Sequence, residues 1–221
     1  MTTSRHIAAD KLEAAASKGP LPPYCCIRDF LAGDERNDLL EFAITNETRF
    51  KPTGFYQSGI NLEQRVSVGL REFGPAKNML WSRVMALVPQ LIAELGIASF
   101  VPSNHIELEL VAHGNGAFFK RHIDTFTGAA ANDKSKRLIS GVYYFHSEPK
   151  AFSGGVLRLY RFGRVENGDD FIDIQPEQNV LVAFPSWAPH EVLPVTCPSG
   201  RFADARFSVN CWIHAALRGA V

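Results

Sequence analysis

The sequence has no surplus of charge: 23 lysines and arginines face 23 aspartates and glutamates, for a formal net charge of zero. Such a balance gives no broad positive field for nucleic acid or an anionic membrane surface, and neither is expected as a partner. Long apolar runs are missing too. The first twenty residues, MTTSRHIAADKLEAAASKGP, hold no hydrophobic signal core. No later stretch approaches the roughly eighteen apolar residues of a membrane span. A cytoplasmic protein is therefore expected. Cysteine is scarce, with four in all (Cys25, Cys26, Cys197 and Cys211) and no C-x-x-C spacing. Neighbours such as Cys25 and Cys26 pair poorly with each other, so reduced thiols are expected rather than bridges. The helical H-E-x-x-H of zinc hydrolases is absent. "GNG" at 114–116 precedes a strand pattern rather than a helix, which rejects a dinucleotide-binding loop. "ENGDDF" at 166–171 lacks the remaining positions of a calcium loop and reads as a turn.

What is present begins with apolar residues, 46% of the chain, enough for a core without staples. Residues 1–20 read as a polar, alanine-rich helix or loose tail. A helix is expected over 35–48 with Asp34 as its N-cap. Residues 51–75, with three glycines and a Gly-Pro, read as loops carrying one or two strands. Leu80, Val84, Leu87, Leu91 and Leu95 then repeat at the spacing of a buried helical face, with Pro89 a potential kink.

After about residue 100 the pattern changes. "NHIELELVAHG" alternates, with Ile106, Leu108 and Leu110 on one side and Glu107 and Glu109 on the other. Short β-branched and aromatic segments follow, separated by glycine, proline, asparagine and aspartate. Seven or eight strands in succession with no helix between them favour an antiparallel sandwich or barrel, mainly β with flanking α, the front helices covering one outer face. No repeat or linker divides the chain. One domain over 1–221 is expected, with 1–100 as support and lead-in strands and 101–216 as the strand-rich core.

The chemistry starts in "FFKRHIDTF". A strand has a side-chain period of two, so His122 and Asp124 are expected on one face of one strand, able to reach a common ion. Among the other histidines, His113 lies in "AHGNG", which reads as a turn. His190, in "NVLVAFPSWAPHEVLPV", stands between two strand patterns about 66 residues after Asp124. Two histidines and a carboxylate leave open positions on an ion and suit non-haem Fe(II). Zinc is the competing metal. In "ARFSVNCWI", Arg206 and Ser208 share a face, a natural receptor for a small carboxylate. Arg201, the rival cation, sits in the loop-like "PSGRFAD".

Together these residues resemble the prolyl 4-hydroxylase-like branch of the Fe(II)/2-oxoglutarate-dependent dioxygenases. "RHIDTF" matches the family's H-x-D, "SGGVLRLY" its Gly-Gly-x-Leu-x-Leu-like strand, "FPSWAPHEVLPV" the segment of the distal histidine, and "RFSVNCWI" the cosubstrate strand. The resemblance covers roughly residues 105–214. It implies a double-stranded β-helix (a distorted jelly roll), iron on His122, Asp124 and His190, and the far carboxylate of 2-oxoglutarate on Arg206, assisted by Ser208 and Tyr144. It further implies O2 as oxidant, ascorbate as reductant, and release of succinate and CO2. Many relatives carry a tyrosine before H-x-D where this chain has His113.

The substrate is left open between a peptidyl residue, possibly proline, and a small molecule. Residues 125–137 are a candidate lid, and Trp187 and Thr125 are candidates to line the substrate mouth. A jelly-roll binding module or sensor without turnover is the alternative, and the oligomeric state is not indicated.

Overall fold

The computed structural model describes residues 19–54, 59–125, 136–163 and 170–216. The expected tail, most of the candidate lid and most of "ENGDDF" lie outside them. Strand β1 (Cys25–Arg28) leads into helix α1 (Gly33–Thr45). This helix begins and ends earlier than the spacing suggests: Ala32 takes the N-cap position and its N–H donates to the Glu35 carboxylate at 3.0 Å. Asp34 instead falls in the first turn, where its charge meets the positive end of the helix dipole. The stretch after it holds three short strands: β2 (Lys51–Pro52), β3 (Arg65–Val66) and β4 (Val68–Leu70).

Helix α2 (Pro75–Glu94) runs on through Pro89 and buries Leu80, Val84, Val88 and Leu91, with Leu87 only partly covered. Its core-facing stripe packs on Leu108 and Leu110 of β5 (Pro102–His113) and on the outer faces of β7 (Arg137–Phe145), β11 (Val180–Pro185) and β14 (Arg206–Ala215). Each such side chain removed from water contributes about 1.5–3 kcal/mol. The remaining strands are β6 (Phe118–His122), β8 (Ser153–Gly154), β9 (Leu157–Tyr160), β10 (Phe171–Ile174), β12 (His190–Val192) and β13 (Val195–Thr196).

Seven strands form one sheet in the order β1-β11-β7-β14-β5-β4-β2, and five form a second, β10-β9-β12-β6-β3, with β13 and β8 as a separate pair. All pairings are antiparallel, and the architecture is the mainly β jelly roll expected, with the helices on the outer face of the larger sheet. Alternation along the strands sorts the residues of the larger sheet. Tyr143, Val209 and Cys211 turn toward the helices, while Tyr144, Ser208 and Asn210 turn toward the second sheet. Register then stacks the inward residues in rows, Glu109 beside Asn210 beside Val142, and Glu107 beside Trp212 beside Ser140. The two acidic residues of "IELEL" therefore face the interior between the sheets. Among the described residues, no helix is long and apolar enough to cross a membrane.

Candidate active site

β6 and β12 are neighbours in the smaller sheet, and their register sets His122 directly opposite His190, with ring centroids 4.1 Å apart. Asp124 is not on the strand with His122. β6 stops at His122, and Asp124 follows in a bend. Its aim comes from elsewhere. The Ser186 carbonyl accepts from the Asp124 N–H at 2.8 Å and from the Thr125 N–H at 3.2 Å. Ser140, an inward residue of β7, donates its hydroxyl to Asp124 Oδ2 at 2.6 Å and stands 2.9 Å from the Ser186 hydroxyl. His122 Nε2 then lies 3.5 Å from Asp124 Oδ1, and His190 Nε2 lies 3.6 Å from Oδ2. All three potential ligand atoms are within 4.8 Å of one another.

Both histidines are oriented by backbone carbonyls, His122 Nδ1 by Lys120 at 2.8 Å and His190 Nδ1 by Ala188 at 2.9 Å. A carbonyl only accepts, so each Nδ1 carries a proton and each Nε2 is the nitrogen left to face an ion. Burial, helped by the neighbouring His122 ring, pushes His190 down to about 4, leaving it neutral at ordinary pH. For Asp124, burial alone would raise the carboxyl. Attraction to a protonated His190 or His122 ring and the hydrogen bond from Ser140 outweigh it and lower the group below the usual carboxylate range. Two imidazoles and a carboxylate form a donor set for a divalent metal with positions to spare. Phe119 stacks on His122 at 3.5 Å, and the buried Arg65 guanidinium lies 4.7 Å over Phe119.

The same inner cavity reaches Arg206, Tyr144 and His113. Arg206 is 1% exposed; its Nε donates to the Gly155 carbonyl at 2.9 Å and its Nη1 to His113 Nδ1 at 3.2 Å. Its guanidinium carbon sits 4.8 Å from the centre of the Tyr144 ring. Ser208 lies beside Tyr144 in the register. Against the turn expected for it, His113 is the last residue of β5, directly opposite Arg206 and 3% exposed. Four buried atoms here have no partner: Arg206 Nη2, Ser208 Oγ, Tyr144 OH and His113 Nε2. A buried polar group left unpaired costs about 1–3 kcal/mol, and four on residues grouped around Arg206 by the strand register suit an anion with several acceptor sites. A carboxylate fits such a seat. Arg201, the rival cation, is instead paired with Asp204 at 2.8 Å.

An outer cavity of about 280 Å³ opens beyond the His122, Asp124 and His190 cluster, with Thr125 among its lining residues. Trp187 does not line it. The indole leaves the turn toward the helix-side core and lies 5.4 Å from Phe100. The wall is built from ion pairs: Glu109 between Arg65 at 3.6 Å and Arg71 at 3.2 Å, and Glu107 held by Arg137 through Nε at 3.0 Å and Nη2 at 2.7 Å. His214 Nε2 also reaches Glu107, at 2.6 Å, and His105 completes a second cluster of potential ligands. Arg137 occupies both Glu107 oxygens, which makes that cluster an ion-paired wall. Sequence reading missed Ser140, Gly155, Arg65 and the inward aim of His113. Alternation within "RLISGVYYF" could have placed Ser140 on the face of Tyr144, and alternation within "IELELVAH" could have placed His113 on the face of Glu109; nothing local signals Gly155 or Arg65.

Comparison with known proteins follows this geometry. The profile of the 2OG-Fe(II) oxygenase superfamily matches residues 108–214. An uncharacterized PKHD-type hydroxylase of Synechocystis sp. is 32% identical over 195 residues, 86% of this chain and 63% of that protein. The chain thus spans less than two thirds of that relative's length. A prolyl-4-hydroxylase of Pseudomonas putida superposes with a TM-score of 0.60 at 21% identity, covering 94% of this chain and 98% of its own. A prolyl hydroxylase of Trichoplax adhaerens, solved with a peptide fragment of the hypoxia inducible factor oxygen degradation domain, gives 0.66 at 20% identity, covering 96% and 94%. These two likenesses speak for the fold. The profile match is seated on the strands that carry His122, His190 and Arg206, so this strand-rich part of the chain is similar to the 2OG-Fe(II) oxygenase superfamily.

Proposed function

We propose that the chain is an Fe(II)- and 2-oxoglutarate-dependent dioxygenase. It hydroxylates an unactivated C–H of a peptidyl residue, proline first among those to test, or of a small molecule, with release of succinate and CO2. One observation carries this reading: a His122, Asp124 and His190 cluster within 4.8 Å opens onto the same cavity as the unpaired donors around Arg206. In this reading His122 Nε2, an Asp124 oxygen and His190 Nε2 hold the iron, while Arg206, Ser208 and Tyr144 receive the far carboxylate of 2-oxoglutarate. Bound iron with the keto acid and O2 supplies the oxidation.

The protein's part is placement. The Lys120 and Ala188 carbonyls leave both Nε2 atoms to face an ion, and Ser140 keeps Asp124 turned to the same point. Val142 and Leu157 line the inner cavity with apolar surface and limit water there. Thr125 is positioned at the outer cavity, where the acceptor would enter. The peptide held by the Trichoplax fold neighbour supports a peptidyl acceptor, and the PKHD-type hydroxylase relative supports hydroxylation.

The test uses purified protein with Fe(II), ascorbate and 2-oxoglutarate. Slow succinate release without substrate is expected, followed by a mass gain of one oxygen in a screen of peptides and free amino acids. Iron-loaded, folded protein that releases no succinate would favour a binding module without turnover.

A further inference from the structure

We infer that His113 is a further donor to the far carboxylate of the cosubstrate, through its Nε2–H; this rests on the cosubstrate reading above. A guanidinium has only donors to offer. Arg206 Nη1 lies 3.2 Å from His113 Nδ1, so Nδ1 must be the bare, accepting nitrogen. Burial, with the Arg206 and Arg65 charges close by, holds this imidazole well below its ordinary range and therefore neutral. A neutral ring with a bare Nδ1 carries its single proton on Nε2. That Nε2 is buried and unpartnered, like Arg206 Nη2, Tyr144 OH and Ser208 Oγ.

Both residues are placed by the register of β5 against β14, which pairs His113 with Arg206 across the sheet. Arg206 is anchored on its other side by the Gly155 carbonyl at 2.9 Å. The guanidinium thus locks the tautomer of the ring, and the ring stops the guanidinium from turning away. A carboxylate, with about four lone-pair sites on two oxygens, can take all of the facing donors at once. His113 is therefore a specificity-determining residue for a keto acid with a second carboxylate.

The experiment uses the whole chain loaded with Zn(II), which supports no turnover, and measures binding calorimetrically. The probes are 2-oxoglutarate and 2-oxobutanoate, which has the same keto-acid head and no far carboxylate. H113N keeps an acceptor for Arg206 but offers no donor at the Nε2 position. It is expected to bind 2-oxoglutarate about ten- to a hundredfold more weakly, the worth of one hydrogen bond to a charged group. Its 2-oxobutanoate binding stays at the wild-type level. In wild-type protein, imidazole 15N NMR should show the Nε2–H tautomer, with that proton shifting on addition of 2-oxoglutarate and not of 2-oxobutanoate. Wild-type affinity in H113N, equal losses for both probes, or a proton on Nδ1 would overturn the assignment. Wild-type, zinc-loaded protein that does not bind 2-oxoglutarate would instead overturn the cosubstrate reading, and this inference with it.

Discussion

Gly155 makes room for Arg206. A Cβ at position 155 would stand 2.5 Å from Arg206 Cδ and 3.0 Å from its Nε, and the Gly155 backbone is left-handed, with φ at 64°. The glycine in "SGGVLRLY" is thus part of the anion seat. Gly155→Ala should cost about 1–2 kcal/mol of stability from the backbone conformation alone. Because the new methyl displaces the guanidinium, the variant should bind 2-oxoglutarate more than about tenfold more weakly. Metal affinity should be unchanged. Calorimetric titration of each ligand separates the two effects, and intact cosubstrate binding in a folded variant would remove Gly155 from the seat.

Ser140 fixes the direction of the Asp124 carboxylate. Removing its hydroxyl leaves Asp124 Oδ2 without the 2.6 Å donor that fixes its direction. Ser140→Ala is expected to weaken metal binding about 10- to 100-fold, as loss of a partner to a ligating carboxylate does. The fold should survive, since the side chain is small. Competition with a calibrated chelator reads the change directly; unaltered affinity would mean that the Ser186 contacts to the Asp124 backbone suffice.

Tyr144 should show function and stability pulling apart. Its hydroxyl is buried without a hydrogen-bond partner. Tyr144→Phe removes that unpaired group, so urea unfolding should show equal or higher stability, by up to about 1 kcal/mol. The same variant should bind 2-oxoglutarate several-fold more weakly. A large loss of stability would show that the hydroxyl is engaged within the protein itself.

Glu107 makes the outer wall sensitive to acid. Burial would raise its carboxyl, but the hydrogen bonds from His214 and Arg137 outweigh burial and lower it from 4.5 to about 2. A group depressed by folding stabilises the protein above its unfolded value and loses that contribution as pH falls through the folded one. The gap in unfolding free energy between wild type and Glu107→Gln should therefore be full at pH 7, about 1.5–3 kcal/mol. It should shrink as the pH falls from 4.5 toward 2. A gap that does not change with pH would mean that the ionised carboxylate contributes nothing there.

Local pattern carried much of this molecule. Alternation in "IELELVAH", "ISGVYYF" and "RFSVNCW" is a property of a few consecutive residues, and in the structure it sorts Leu108 and Val209 outward and Tyr144 and Ser208 inward. The α2 stripe was legible for the same reason, with Val88 buried where Leu87 was expected because a real helix face turns slightly between those positions. Cap and strand ends were read less well. α1 starts two residues early because Glu35 reaches back to the Ala32 N–H, and β6 ends at His122 because the Ser186 carbonyl captures the chain at Asp124.

By itself the sequence determined which side chains could serve as ligands and, for those that stand on strands, on which face, since a strand's side-chain period needs no partner to exist; Asp124 lies past the end of β6 and was not among these. Tertiary structure alone decided who meets whom. The registers of β6 with β12 and of β5 with β14 bring His122 to His190 and His113 to Arg206. The turn after β11 sends Trp187 to the core and the Ser186 carbonyl to Asp124. Those meetings join segments tens of residues apart in the chain, and only the closing of the two sheets over one another brings them within hydrogen-bonding reach.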